Sequence, residues 1–246
     1  MRYTALSMAL GAFLFVANQK VLFDYRPLPT KPEPARMLSA EARRNLLSTV
    51  FRRYLRDERE CKVEEASTEA ALESARNNGQ IVPEVLSQAG GSFTRSGGRQ
   101  VAYLIKVGEC SAPGRTYFGT YRLVVFENGR LITDGQSPSG DHIDTWADVA
   151  GNGMEAILIS GCAFGQGVLE CSATLVSIAG GSVKAIQEFP SVYVDQCESA
   201  PDSSINASVI RYAPGHPLEF SREEYEAKCP GPGQTPQFRP AGRATP

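Results

Sequence analysis

The spacing of apolar and polar positions changes character several times along this chain. Thr4 to Ala17, TALSMALGAFLFVA, is an uninterrupted uncharged run behind a single Arg2. Residues 24–37, DYRPLPTKPEPARM, then bring four prolines and no apolar period. Prolines this dense favour an extended polyproline-type spacer of about 3 Å per residue. From Ser39 the period is helical. Leu47, Val50, Phe51, Tyr54 and Leu55 recur on one face of a segment running to Glu60, with Ser39 as N-cap and Glu41 in the first turn. A second short helix is expected over Thr68–Asn77, stopped by Gly79.

From about Gly90 the period shortens toward two. The stretch 121–135, YRLVVFENGRLITDG, is two strand-like runs around Asn128-Gly129, the strongest short hairpin signal. The stretches MEAILIS and CSATLVSIAGGSVKAIQEF continue it, the latter around Gly180-Gly181. Ala207–Ala213 reads as one more strand, and Ser221–Cys229 as a short closing helix capped by Ser221. The Pro- and Gly-rich tail, 231–246, is expected to be disordered or bound to a partner. The fold class that follows is α+β. An antiparallel β-meander sheet is flanked by N-terminal helices and a C-terminal closing helix, after an N-terminal membrane anchor. The division is 1–23 signal-anchor or signal peptide, 24–37 spacer, 38–230 extracytoplasmic domain and 231–246 tail.

Composition narrows the setting. The chain has 246 residues, with 25 Lys plus Arg against 27 Asp plus Glu. Such near balance provides no general drive toward nucleic acid. Six cysteines (Cys61, Cys110, Cys162, Cys171, Cys197 and Cys229) and only two histidines point to disulfides rather than zinc. Six cysteines allow 15 pairings. Position along the chain favours Cys162 with Cys171 across a hairpin, Cys197 with Cys229, and Cys61 with Cys110. Disulfides and the N-terminal run agree on export. Small residues are poorly placed for cleavage, because Ala17 puts Phe15 at the −3 position, so an uncleaved anchor built on Leu6, Phe13, Leu14 and Phe15 is favoured over a removed signal peptide. Its 14 residues rise only about 21 Å as a helix, against roughly 30 Å of hydrocarbon. Extension to Phe23 lengthens it, with Lys20 snorkelling outward.

The stretch 144–161, DTWADVAGNGMEAILISG, poses the main chemical question. Its glycine turn is a calcium loop, a phosphate cradle or a corner. The phosphate reading lacks the lysine of a P-loop and the helix that follows a dinucleotide turn. The segments 90–105 and 146–159 each run small residue, glycine turn, polar residue, apolar strand. This resembles the FG-GAP (VCBS-type) repeat, in a chain similar to bacterial exported proteins with one or two such units. Family members often hold calcium in that turn. The resemblance therefore implies Asp148, Asn152 and Glu155 as ligands, with Asp144 nearby. Calcium wants six to eight oxygens. Ala150 stands where another ligand belongs, and the first turn offers Arg95 and Arg99 instead of carboxylates. A purely structural turn, with Gly151 and Gly153 supplying positive φ, is the competing reading.

Catalytic motifs are sparse. His142 lies between Asp141 and Asp144, and no G-x-S-x-G elbow occurs. His216 sits among prolines, and Asp57, Glu58 and Glu60 share a helix end with arginines. The expected function is a non-enzymatic binding or structural module without a cofactor, anchored in the cell envelope and facing the periplasm or cell exterior. It would serve as an accessory subunit of a membrane protein complex, with Tyr117, Phe118, Tyr121 and Trp146 as contact aromatics. The alternatives are a hydrolase-like exported enzyme using His142 with Asp141 or Asp144, and a calcium-stabilised ligand-binding or adhesion domain.

Overall fold

A computed structural model describes residues 19–27, 38–51, 84–106, 121–138, 140–199, 203–214, 217–231 and 233–241. In chain order the elements are β1 (Lys20–Asp24), α1 (Ala40–Phe51), β2 (Glu84–Gly91), β3 (Gln100–Lys106), β4 (Tyr121–Glu127), β5 (Arg130–Gln136) and β6 (His142–Ala147). They continue with β7 (Ala156–Gly165), β8 (Val168–Ala179), β9 (Ser182–Asp195), β10 (Ser204–Ala213), β11 (Glu219–Lys228) and β12 (Arg239–Pro240).

The strands form two antiparallel sheets. A small one has the order β2-β3-β4-β5, and a large one the order β12-β11-β10-β9-β8-β7-β6. β1 joins the large sheet on β10, beside the short β9 pairing. Asp195 to Tyr193 of β9 pair with Ile205 to Ala207, and Asp24 to Lys20 of β1 pair with Val209 to Tyr212. The large sheet curls until β1 comes against β6.

β7 explains why the apolar run at 156–160 is continuous rather than alternating. Ala156 and Leu158 face the core enclosed by the curl, with Leu175, Tyr193 and Ile210. Ile157 and Ile159 face the small sheet and meet Ala102, Leu104, Leu123 and Val125. A strand covered on both faces has no polar side to show. On the far face of the small sheet, Ile105 and Val124 pack against Leu46, Leu47 and Val50 of α1. The molecule is thus layered as helix, small sheet and curled sheet. At about 25 cal/mol per Å², each fully buried Leu or Ile in these cores contributes roughly 1.5–3 kcal/mol.

Several expectations are corrected here. The chain is mostly β, with one short helix among the described residues, so α+β does not hold. The expected closing helix at 221–229 falls in β11, which pairs with β10 from Ala213↔Glu219 to Ser204↔Lys228. Glu, Ala and Lys favour a helix locally. Ten residues of ladder, with Phe220 packed on the core and Ala227 within it, outweigh that propensity. Of the N-terminal helices, α1 is present and Ser39 Oγ accepts the Ala42 N–H at 3.1 Å as its cap. Positions 52–83, including the second expected helix, lie outside the described residues.

The anchor cannot extend to Phe23, because 20–24 is strand β1 with Leu22 buried. Leu6, Phe13, Leu14 and Phe15 lie outside the described residues, and among the described residues no helix is long and apolar enough to cross a membrane. The proline-rich segment does not separate an anchor from the domain, since the strand before it and the helix after it belong to the same fold. Of the expected tail, position 232 and positions 242–246 lie outside the described residues. Residues 233–241 are ordered on β11 through β12, and Phe238 packs on the enclosed core.

Cys162 is bonded to Cys171, its direct partner across the β7–β8 ladder, with Cα atoms 4.0 Å apart. Cys197 is bonded to Cys229 with Cα atoms 5.5 Å apart, tying the end of β9 to the end of β11. Cys61 and Cys110 lie outside the described residues. Two such bonds place the folded chain in an oxidising, extracytoplasmic compartment.

Candidate functional site

His142 opens β6, and a register irregularity between Ile143 and Thr145 follows it. Ile143 turns to the two-sheet core. His142 and Asp144 turn the other way and meet Ser160, the last polar residue of the apolar β7 run. The His142 ring is 8% exposed and the Asp144 side chain 1%. Nδ1 lies 2.9 Å from Asp141 Oδ1, and Nε2 lies 2.7 Å from Asp144 Oδ1. Ser160 Oγ is 3.1 Å from Nε2 and donates to Asp144 Oδ1 at 2.9 Å. The other Asp144 oxygen accepts the Tyr25 hydroxyl, which arrives just past β1 and is fully buried.

Electrostatics follow from this packing. Burial works against a charged ring, but hydrogen bonds to Asp141 and Asp144 and the charges they carry outweigh it and raise His142 to about 9. Tyr25 is pushed well above its ordinary value by burial, then by the charge and hydrogen bond of Asp144. At neutral pH the network is therefore an imidazolium between two carboxylates, with a neutral phenol behind.

The contacts Ser160–His142–Asp141 have the order of a serine-hydrolase triad. Their placement does not serve that chemistry. Ser160 is 0% exposed, and both ring nitrogens are engaged. A charged imidazole with a carboxylate on each side has no lone pair to accept the serine proton.

The glycine turn after β6 is closed by its own side chains. Asp148 accepts the N–H of Asn152 at 3.0 Å and of Gly153 at 2.8 Å, and Asn152 Oδ1 accepts the Met154 N–H at 2.9 Å. Glu155 turns away to the β2–β3 turn and accepts the Ser92 N–H at 2.7 Å. Asp148, Asn152 and Glu155 therefore do not converge as a ligand set. Among the described residues no three acidic, histidine or cysteine side chains gather to hold a metal ion. Gly151 and Gly153 adopt φ of 71° and 79°. The first turn is tied similarly by Gln100, whose Oε1 accepts the N–H groups of Phe93 and Thr94.

Beside the network, on the outer side of β7 and β8, lies a cleft of about 390 Å³. Asp141, Tyr121, Glu170 and Ser172 bring polar groups to it, and Gly140 and Gly161 form its wall. Asp141 N–H donates to the Ser160 carbonyl at 2.8 Å, and a Cβ on Gly161 would sit 2.8 Å from the Gly140 Cα. That approach presses Asp141 against β7.

Of the expected contact aromatics, Tyr121 is half-buried at the cleft, Trp146 is 37% exposed, and Tyr117 and Phe118 lie outside the described residues. His216 and the acids at 57, 58 and 60 also lie outside. Sequence reading missed Tyr25, Ser160 and Glu170. Ser160 had one signal, a polar residue ending a run buried on both faces. Comparison with family models, curated proteins and solved structures returns no match.

Proposed function

We propose that this chain is a non-enzymatic binding module of the cell envelope, exported by its N-terminal segment and acting on a protein partner. The observation that carries the reading is the sealed state of the His142 network. The imidazole is held on both nitrogens and the serine is wholly buried, so neither is available for proton transfer or attack, while the Tyr25 hydroxyl on Asp144 ties the end of β1 to β6. Stiffness at a contact point adds support. The β7–β8 hairpin is stapled by Cys162–Cys171 and carries Phe164 at 64% exposure near its tip. A rigid exposed aromatic loses little entropy on docking, which suits a contact residue.

β1 begins at Lys20, so the apolar run ahead of the domain is the 14 residues Thr4–Ala17. As an uncleaved anchor it would set the domain directly on the membrane surface, in keeping with an accessory subunit of a membrane complex. The FG-GAP resemblance is kept as part of this reading, with both glycine turns acting as corners.

The test is mild detergent extraction and native electrophoresis, with mass spectrometry of co-migrating chains, alongside labelling by a fluorophosphonate. The expected result is a defined complex and an unlabelled Ser160. Migration alone with a labelled Ser160 would sink the reading.

A further inference from the structure

Two large apolar side chains stay exposed on the two strands that meet where the large sheet curls closed. Val21 of β1 is 51% exposed and Trp146 of β6 is 37% exposed. Both stand on the outer wall of the curl. Leu22 and Tyr25 turn into the enclosed core, which leaves Val21 outward, across the ladder from Arg211 of β10. Trp146 pairs with Ile157, whose side chain faces the small sheet and not the enclosed core, so Trp146 is outward as well. The Tyr25–Asp144 hydrogen bond joins the two strands at one end. At the other end is Tyr212, the ladder partner of Lys20. Its hydroxyl titrates above the ordinary value because of burial and then the charge of Asp148, just past β6. β1 and β6 therefore run in opposite directions, and Val21 lies alongside the Trp146 end of β6.

The chain ahead of β1 identifies what covers this wall. Lys20 is the first residue of the strand, and Gln19 before it is already tied down, its Oε1 accepting the Ser221 hydroxyl at 3.0 Å. Only Asn18 separates Gln19 from the uncharged run Thr4–Ala17. At no more than about 3.6 Å per residue, the run ends within about 7 Å of Gln19. A surface that takes up the run therefore meets the start of β1. The charges beside Val21 come in opposite pairs, Asp24 with Arg26 and Arg211 with Glu223, so neither sign drives or opposes that meeting.

We infer that this wall, with Val21 and Trp146 at its centre, lies against the lipid bilayer interface. The inference rests on the anchored reading above and adds which face the domain turns to the lipid. A tryptophan suits the headgroup level, where its ring is in apolar surroundings and its N–H meets a wet acceptor. Lys20 extends its ammonium along the same surface. Two side chains bury too little area to hold a free domain on lipid. A linker this short makes the contact intramolecular, at an effective concentration of about millimolar or above. Phe164, at the far end of β7, lies outside the wall and stays open to a protein partner.

Trp146 is the single tryptophan of the chain, so its fluorescence reports this wall alone. The test reconstitutes the full chain with phosphatidylcholine vesicles. Flotation with the vesicles reads the anchor. Quenching of Trp146 by nitroxide-labelled lipid, and by iodide in the water, reads the wall. Nitroxides near the headgroup should quench Trp146 more than nitroxides at the acyl-chain ends, and iodide should reach it poorly. Val21→Glu should lose the nitroxide quenching and gain iodide quenching while floating as the wild type does. Its melting temperature should hold, because a glutamate there faces Arg211 across the ladder. Sodium chloride should leave the nitroxide quenching unchanged, because the neighbouring charges are paired. Flotation with Trp146 open to iodide and untouched by nitroxide overturns the inference and leaves the anchor in place. Nitroxide quenching that survives Val21→Glu, or that salt abolishes, overturns it too. Failure to float ends the anchored reading, and the inference with it.

Discussion

Ser92 and Glu155 exchange two hydrogen bonds between the glycine turns. The Ser92 N–H donates to Glu155 Oε2 at 2.7 Å, and the Glu155 N–H donates to the Ser92 carbonyl at 2.9 Å. The two look-alike segments of the sequence thus meet in space, one turn from each sheet. Replacing Glu155 by Ala removes a charge-assisted bond and strands the Ser92 N–H. The expected loss is about 1.5–3 kcal/mol in urea unfolding, with Glu155→Gln costing clearly less because its amide oxygen still accepts. Equal losses in both variants would show that the bond is not what holds the turns.

The His142 network makes stability depend on pH. The folded value of about 9 lies above the unfolded 6.5. The contribution is therefore fully present below about pH 6.5 and is lost as pH rises through 9, amounting to roughly 3 kcal/mol. Chemical denaturation at pH 6, 7.5 and 9 should show this fall in wild type and a flat response in His142→Asn. The variant should also be less stable at pH 6, since buried Asp144 loses its partner at Nε2. A wild-type midpoint constant from pH 6 to 9 would contradict the assignment.

The two described disulfides should differ in worth. They close separations of 9 and 32 residues. The chain-entropy model gives about 2.5 kcal/mol for the first and about 4 kcal/mol for the second. Cys197→Ser with Cys229→Ser should therefore lower the melting temperature more than Cys162→Ser with Cys171→Ser. The reverse order would mean that the β7–β8 hairpin depends on its staple for more than loop closure.

Truncation after Gly231 keeps Cys229 but removes β12 and Phe238. Because Phe238 packs on the enclosed core and β12 completes the ladder on β11, a loss of about 1–3 kcal/mol is expected. An unchanged unfolding curve would return the tail to the free state that its Pro and Gly content suggests.

Legibility varied with how local the deciding physics was. The Asn128-Gly129 hairpin was readable because both residues adopt positive φ, 50° and 76°, which few residue types tolerate. The Ser39 cap was readable because a hydroxyl beside the first turn has one obvious donor to satisfy. Ser221–Cys229 was misread because Glu, Ala and Lys prefer a helix alone, whereas the long edge of β10 needed a partner. Asp148, Asn152 and Glu155 looked like a ligand set in one dimension. Their oxygens are taken by backbone N–H groups that only a folded turn presents.

By itself the sequence determined the strand character of residues 90–189, the hairpin turns, a disulfide-bonded extracytoplasmic setting, and the nearness of Cys162 to Cys171 across a short hairpin. Apart from the setting, which follows from cysteine number, each depends on residues close together in the chain. Only the tertiary structure decided that residues 20–24 are a strand of the core, that Tyr25 meets Asp144, and that Ser160 seals His142. It also decided that the gap between the sheets stays open beside Asp141. Tyr25 and Asp144 are 119 positions apart, and no local preference encodes that meeting. It follows from a twisted sheet curling until its last-added strand reaches its first, where burial leaves a carboxylate that must be satisfied.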